Sequence, residues 1–347
     1  MRACFALAWL VLIVADAVAL EAGFGVRDIT PPPGAEIPLG WPKPRVAAGV
    51  HDRLLASACV IYDGVTPVAL VGVDALFIGN DTVAEARRRI ERVTKIPGAN
   101  VLIGANHTHT GGPIITVRAS KADPRYLEQV VQAITDAVTD AWQSRHTVEL
   151  GIGTGKEDSI SFNRRFLMRD GKEITHPGKP GTPHHAEIVC PAGPIDPDVG
   201  VLAFRTQGQV AGIVVNFGCH GTVVGGNKFS PDYTGYLRKH LKACYGEQTP
   251  VVFLLGACGD ITQVDNMSSA KESGPEYGDL FGMKLAAETI RTIGRMAWLK
   301  EASTAATRES VAIALRPDID PALELPAFGH AHRGKEEMAE ERQRLAE

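Results

Sequence analysis

Two histidines separated by one residue, His107 and His109, stand in Asn106-His-Thr-His109-Thr-Gly-Gly-Pro113, directly after the apolar run Val101-Leu-Ile103. In extended backbone, residues two apart project to one side of the chain. The spacing therefore directs both imidazoles at one centre. Imidazole nitrogen is a preferred zinc ligand, and a catalytic zinc takes three protein ligands and keeps one position open. A third histidine in a similar setting, His220, follows the run Ile213-Val-Val215 in Asn216-Phe-Gly-Cys-His220-Gly. Glycines beside both segments permit close backbone approach. A His-x-His pair also arises by chance, so spacing alone leaves open a metal site and a polar loop that holds two imidazoles.

The other histidines are weaker candidates. His184-His185 lies in a stretch without periodicity and His330-Ala-His332 follows Gly329, which suits solvated loop pairs. His51 and His240 sit among charged residues and belong to the surface. Asp74 closes the run Val71-Gly-Val-Asp74, either as a buried carboxylate orienting a histidine or as a helix or turn cap.

These residues need elements to position them. Apolar runs at 54–62 and 68–78, split by Asp63-Gly64, suit a hairpin. Asn80-Asp81-Thr82 offers N-caps for an amphipathic helix from Val83 to Lys95, and a strand from Asn100 to Ala105 then leads into the histidine pair. Asp123-Pro124 caps a helix with Leu127, Val130, Val131, Ile134, Ala137, Val138, Ala141 and Trp142 at helical spacing. Residues 155–197 read as irregular structure or as an excursion over a site. Strands at 212–217 and 250–255 flank a helix from Thr234 to Tyr245, and a further helix spans Leu280 to Trp298. This alternation predicts an α/β fold: layered mixed sheets with flanking helices in a single catalytic domain covering 20–347, without internal repeat. In such sheets, ligands bind in loops beyond the carboxyl ends of strands, which is where the Asn106, Asn216 and Gly256-Ala-Cys-Gly-Asp260-Ile-Thr262 segments fall.

The totals set limits. With 347 residues, 44% hydrophobic and 22% charged, the chain has material for an ample core, and a net charge of -4 provides no basic surplus for nucleic acid. No protein partner is indicated. Residues 1–19 combine Arg2, an apolar stretch and Ala17-Val-Ala19, the pattern of a cleaved secretory signal, and predict a secreted or periplasmic protein. Five cysteines then remain, Cys59, Cys190, Cys219, Cys244 and Cys258, without a CxxC spacing, which predicts mostly structural thiols and at most one or two disulfides. The charged stretch from Lys335 to Glu347 reads as a helix that stops uncapped, either frayed or cut short.

Val26-Arg-Asp-Ile-Thr-Pro-Pro32, Asn106-His-Thr-His-Thr-Gly-Gly-Pro113, Phe162-Asn-Arg-Arg165, Gly193-Pro-Ile-Asp-Pro197, Asn216-Phe-Gly-Cys-His-Gly-Thr222 and Gly259-Asp-Ile-Thr262 occur in this order. Together they resemble the N-terminal catalytic domain of the neutral/alkaline non-lysosomal ceramidases, zinc-dependent amidases that split ceramide into sphingosine and a fatty acid. The resemblance runs from about Glu21 to Asn266. It implies zinc (Zn2+) ligated by His107 and His220, and active-site roles for His109 and Arg164 in contacting water, substrate or oxyanion. It also implies a lipid or acylated-amine substrate and peripheral contact with membrane lipid. Where the family has a catalytic serine this chain has Thr262, without the usual following Ser-Pro-Asn. The family's remaining zinc ligands, a glutamate and a tyrosine from further downstream, have no match before Glu347. The resemblance therefore predicts either a fragment or a site completed by Asp74, Asp232 or Asp260. Two other readings stand beside it: a metallophosphoesterase, from Asn106-His107 and Gly329-His-Ala-His332, and an exported binding protein that has kept the fold without the metal.

Overall fold

The computed structural model describes residues 19–39, 43–117, 119–309 and 311. Most of the segment expected to be a signal, residues 1–18, together with His330, His332 and the terminal stretch from Lys335, lies outside them. The first half of the chain builds one sheet from β1 (Glu21–Asp28), β2 (Leu55–Tyr62), β3 (Pro67–Val73), β4 (Val101–Ala105) and β5 (His146–Thr147). Helix α1 (Asn80–Thr94) connects β3 to β4, and α2 (Pro124–Gln143) connects β4 to β5. The spatial order is β4-β3-β2-β1-β5, antiparallel except for the parallel pair β3/β4. A parallel pair needs a crossover, and α1 supplies it.

The second half repeats this plan. Strands β6 (Glu149–Lys156), β7 (Asp198–Thr206), β8 (Gln209–Phe217), β9 (Val251–Leu255) and β10 (Trp298–Leu299) lie in the order β9-β8-β7-β6-β10. Only β8/β9 is parallel, with α3 (Tyr233–Tyr245) as its crossover and α4 (Pro275–Ile293) following β9. The absence of a sequence repeat thus hides a topological one. Topology needs only the burial pattern, and different side chains can supply that.

The two sheets stack between the two helix pairs. On β2, Ala58 and Val60 pack with Val130, Ile134 and Ala137 of α2. Cys59 and Ile61, pointing the other way, meet Leu150, Phe204 and Val252 of the second sheet. Val201, Ile213 and Val215 pack with Leu237 and Phe281 from α3 and α4. Both faces of the central strands are therefore buried, which is why they read as continuous apolar runs. Each large apolar side chain fully buried this way contributes about 1.5–3 kcal/mol. Between the sheets, a Cβ on Gly72 would come within 2.2 Å of the Phe253 carbonyl oxygen, so only glycine permits this approach.

The layered α/β expectation is met, with several boundaries corrected. Helix α1 starts a turn earlier than expected, capped by Gly79 without any side-chain bond, so Asn80-Asp81-Thr82 lies inside it. Helix α4 begins at Pro275, whose fixed φ suits a first turn, and stops at Gly294; Trp298, expected in the helix, is in β10 at the sheet edge. Within 155–197 a small sheet forms from Glu173–Thr175, Arg165–Met168 and Ile188–Pro191. All five described cysteines are free thiols, with Cys59 and Cys219 buried. Among the described residues no helix is long and apolar enough to cross a membrane.

Candidate metal centre

His107 lies just past β4 and His220 just past β8, and their Nε2 atoms approach to 3.0 Å. The Nε2 of His109 is 3.4 Å from that of His107. The three imidazoles offer ligand atoms within 4.8 Å of one another, a group able to hold a metal ion. They do not converge through an extended chain, as the His-x-His spacing suggested. His107 has φ 61°, in the left-handed region, at a cost of about 1–2 kcal/mol for an L residue. Thr108 forms an isolated parallel bridge with Gly221, and the His109 amide donates to the Gly221 carbonyl at 3.0 Å. The β4 loop is thus stitched to the β8 loop, which brings His220 to the pair.

A buried network holds the turn. Asn106, 3% exposed, accepts from the amides of Ala75 and Thr108 through Oδ1. Its Nδ2 donates to Asp74, to the Pro231 carbonyl and to Thr234 Oγ1 at 2.8, 3.0 and 2.9 Å. Asp74 is paired at 2.7 Å with Arg238 and accepts from the Leu55 amide. It is neither a histidine partner nor a cap: it orients Asn106, and through it the backbone of the histidine turn.

The tautomers follow from the partners. His107 Nδ1 donates to the Leu76 carbonyl and His220 Nδ1 to the Cys258 carbonyl, each at 2.8 Å. A carbonyl oxygen only accepts, so the proton sits on Nδ1 and each Nε2 turns a lone pair to the centre. Burial lowers the His107 pKa, with Arg164 adding to the effect. Burial, then the neighbouring His107, pushes His220 down to about 4. His109 falls to about 3, through burial first and then through His107, His220, Arg45 and Arg164. All three rings are neutral at pH 7, and the unshared pairs of His107 and His220 face one another at 3.0 Å. A cation between them turns that repulsion into coordination, and backbone carbonyls on Nδ1 are the usual outer partners of ligating imidazoles. The residues present therefore fit a divalent metal such as zinc.

The remaining candidates are distributed around this centre. Arg164 is half-buried beside it and donates to the Gly259 carbonyl. Thr262, 2% exposed, pairs with Phe162 across a two-residue ladder and donates its hydroxyl to Gln263 Oε1 at 3.0 Å. Asp232 caps α3 and accepts from the amides of Tyr233, Val223 and Val224. Asp260 accepts from Asn163 Nδ2 at 2.9 Å. Among the described residues no carboxylate joins the histidine group. His51 pairs with Asp52 and His240 with Asp279, away from the centre.

Sequence reasoning missed four contributors. The carbonyls of Leu76 and Cys258 act through the backbone and leave no side-chain signal. Phe77, 45% exposed, sets its ring edge-on to His107 at 4.9 Å. Arg45, half-buried, donates to the His109 carbonyl; it stands alone in a proline-rich stretch with nothing in its spacing to mark it.

No protein-family model matches the chain, and no curated protein matches it. Among solved structures, the neutral ceramidase from Pseudomonas aeruginosa aligns with TM-score 0.63 and 23% identity, over 81% of this chain and 45% of that one. A structure of ceramidase complexed with C2 aligns with TM-score 0.63 and 21% identity, over 80% and 44%. The chain has a neutral ceramidase-like fold and spans less than half the length of either structure.

Proposed function

We propose that this chain carries the metal centre of a zinc-dependent amidase of the neutral ceramidase type, acting outside the cytoplasm on ceramide or a related acylated amine. The observation that carries the reading is the convergence of three neutral imidazoles, two of them fixed through Nδ1, beyond the ends of β4 and β8. His107 and His220 are the ligands, because a backbone carbonyl presents each Nε2 to the centre. His109 is held through its backbone and is left to accept a hydrogen bond from the attacking water.

Bound zinc supplies Lewis acidity and lowers the pKa of water. The water oxygen adds to the amide carbonyl carbon, the C–N bond breaks, and a proton passes to the leaving amine nitrogen. Arg164 stabilises the negative charge that develops on the carbonyl oxygen. Phe77 gives the acyl chain an apolar surface beside His107. The Thr262 hydroxyl, committed to Gln263, is not assigned the attack.

Metal analysis and hydrolysis of an N-acylsphingosine separate the roles. His107→Ala and His220→Ala should lose both zinc and activity, whereas His109→Ala should keep zinc and lose activity by about 100-fold or more. Full zinc content and full activity in His107→Ala would sink the assignment.

A further inference from the structure

The topological repeat relates two arginines. Arg45 lies in the excursion between the first and second strands of the first half, and Arg164 in the excursion between the first and second strands of the second half. Arg45 NH2 donates to the carbonyl of His109, four residues past the end of β4, and Arg164 NH2 donates to the carbonyl of Gly259, four residues past the end of β9. Each guanidinium is thus tied to the equivalent point of its own half, and the two flank the histidines from opposite halves of the fold.

Arg45 has no acidic partner among the described residues, whereas Asp260 acts on Arg164. Among the described residues both are half-buried and neither enters an ion pair, while Arg45 Nε is buried with no acceptor at all. A half-buried cation without a counter-charge is unfavourable, and a bound metal adds further positive charge. One oxyanion engages the metal and one arginine. The second guanidinium remains unmatched by a neutral amide.

We propose that Arg45 recognises an anionic group on the amine part of the substrate, so that the preferred substrates are N-acylated amino acids, with their carboxylate on Arg45 and the scissile carbonyl on Arg164. This rests on the amidase reading above and narrows it. Arg45 NH2 already donates to the Pro38 and His109 carbonyls and Nε is buried, so NH1 is the atom left to give the carboxylate a charge-assisted hydrogen bond.

N-dodecanoylglycine and N-dodecanoylethanolamine share an acyl chain and differ in a carboxylate against a hydroxyl. With the zinc-loaded protein, kcat/KM for the glycine conjugate should exceed that for the ethanolamide by about tenfold or more. Arg45→Met should bring the ratio to about one, and Arg45→Lys, which keeps the charge but not the guanidinium held by the two carbonyls, should retain part of it. Calorimetry on the metal-free protein gives a readout independent of turnover: N-dodecanoylglycine should bind more tightly than the ethanolamide, and Arg45→Met should remove the difference. Equal kcat/KM for the two amides in the unaltered protein would overturn the proposal while leaving the amidase reading intact. Charge-selective binding abolished by Arg45→Met, with neither amide cleaved, would uphold the recognition and overturn the amidase.

Discussion

Lowering the pH tests whether burial has in fact excluded protons from the histidine centre. A ligand imidazole of ordinary pKa near 6.5 is only about 3% neutral at pH 5, so each would weaken zinc binding about 30-fold relative to pH 8, and two about a thousandfold. His220, pushed down to about 4, remains about 90% neutral at pH 5 and costs almost nothing. His107 is shifted in the same direction, chiefly by burial. Protons therefore compete with the metal only in the more acidic range, and affinity should fall by less than about 30-fold between pH 8 and pH 5. Competition with a chromophoric chelator, corrected for the chelator's own protonation, measures this directly. A fall near a thousandfold would show that the rings protonate as freely as exposed imidazoles, and the reasoning from burial would be wrong.

The same shifts act on the metal-free fold. Because His220 and His109 hold protons less readily folded than unfolded, stability should be full above about pH 6.5 and decline as the pH falls toward 4; a urea midpoint that rises on acidification would contradict it. Gly221→Ala should weaken zinc binding about tenfold or more, since its Cβ would meet the backbone of the histidine turn, 2.6 Å from the His107 carbonyl oxygen and 3.0 Å from Thr108 Cα; wild-type affinity in a chelator titration would refute that. Asp74→Asn leaves the buried Arg238 guanidinium without its counter-charge and should destabilise the fold by about 3–5 kcal/mol, so an unshifted urea midpoint would remove Asp74 from the network described.

Much of the scaffold was legible because its cause is local. Strands buried on both faces must be apolar throughout, so the runs around Ala58, Val71, Val214 and Phe253 announce themselves, and Asp123-Pro124 marks the start of α2. The start of α4 is not legible in apolar spacing, which begins at Leu280, because Pro275 carries the boundary. Trp298 continues that spacing, yet Gly294 ends the helix and an edge strand needs only two residues. The sequence leaves Asp74 open between a buried carboxylate and a cap, because its partners, Asn106 and Arg238, are far along the chain and no local pattern records them.

The centre itself shows where local reading stops. His107 follows the fourth strand of its half and is oriented by a carbonyl beyond the third; His220 follows the third strand of its half and is oriented by a carbonyl beyond the fourth. The same parallel strand pair is used twice with the roles of ligand and support exchanged, so the two histidines have no common sequence setting. Arg45 and Arg164, by contrast, occupy equivalent positions, yet only Arg164 stands in a recognisable motif. Equivalence of place is thus a stronger guide than likeness of sequence here, because the carbonyl each arginine reaches is set by topology. If the two guanidiniums are equivalent in position but differ in what they bind, replacing Arg164 should lower turnover of both dodecanoyl amides alike, while replacing Arg45 should change their ratio.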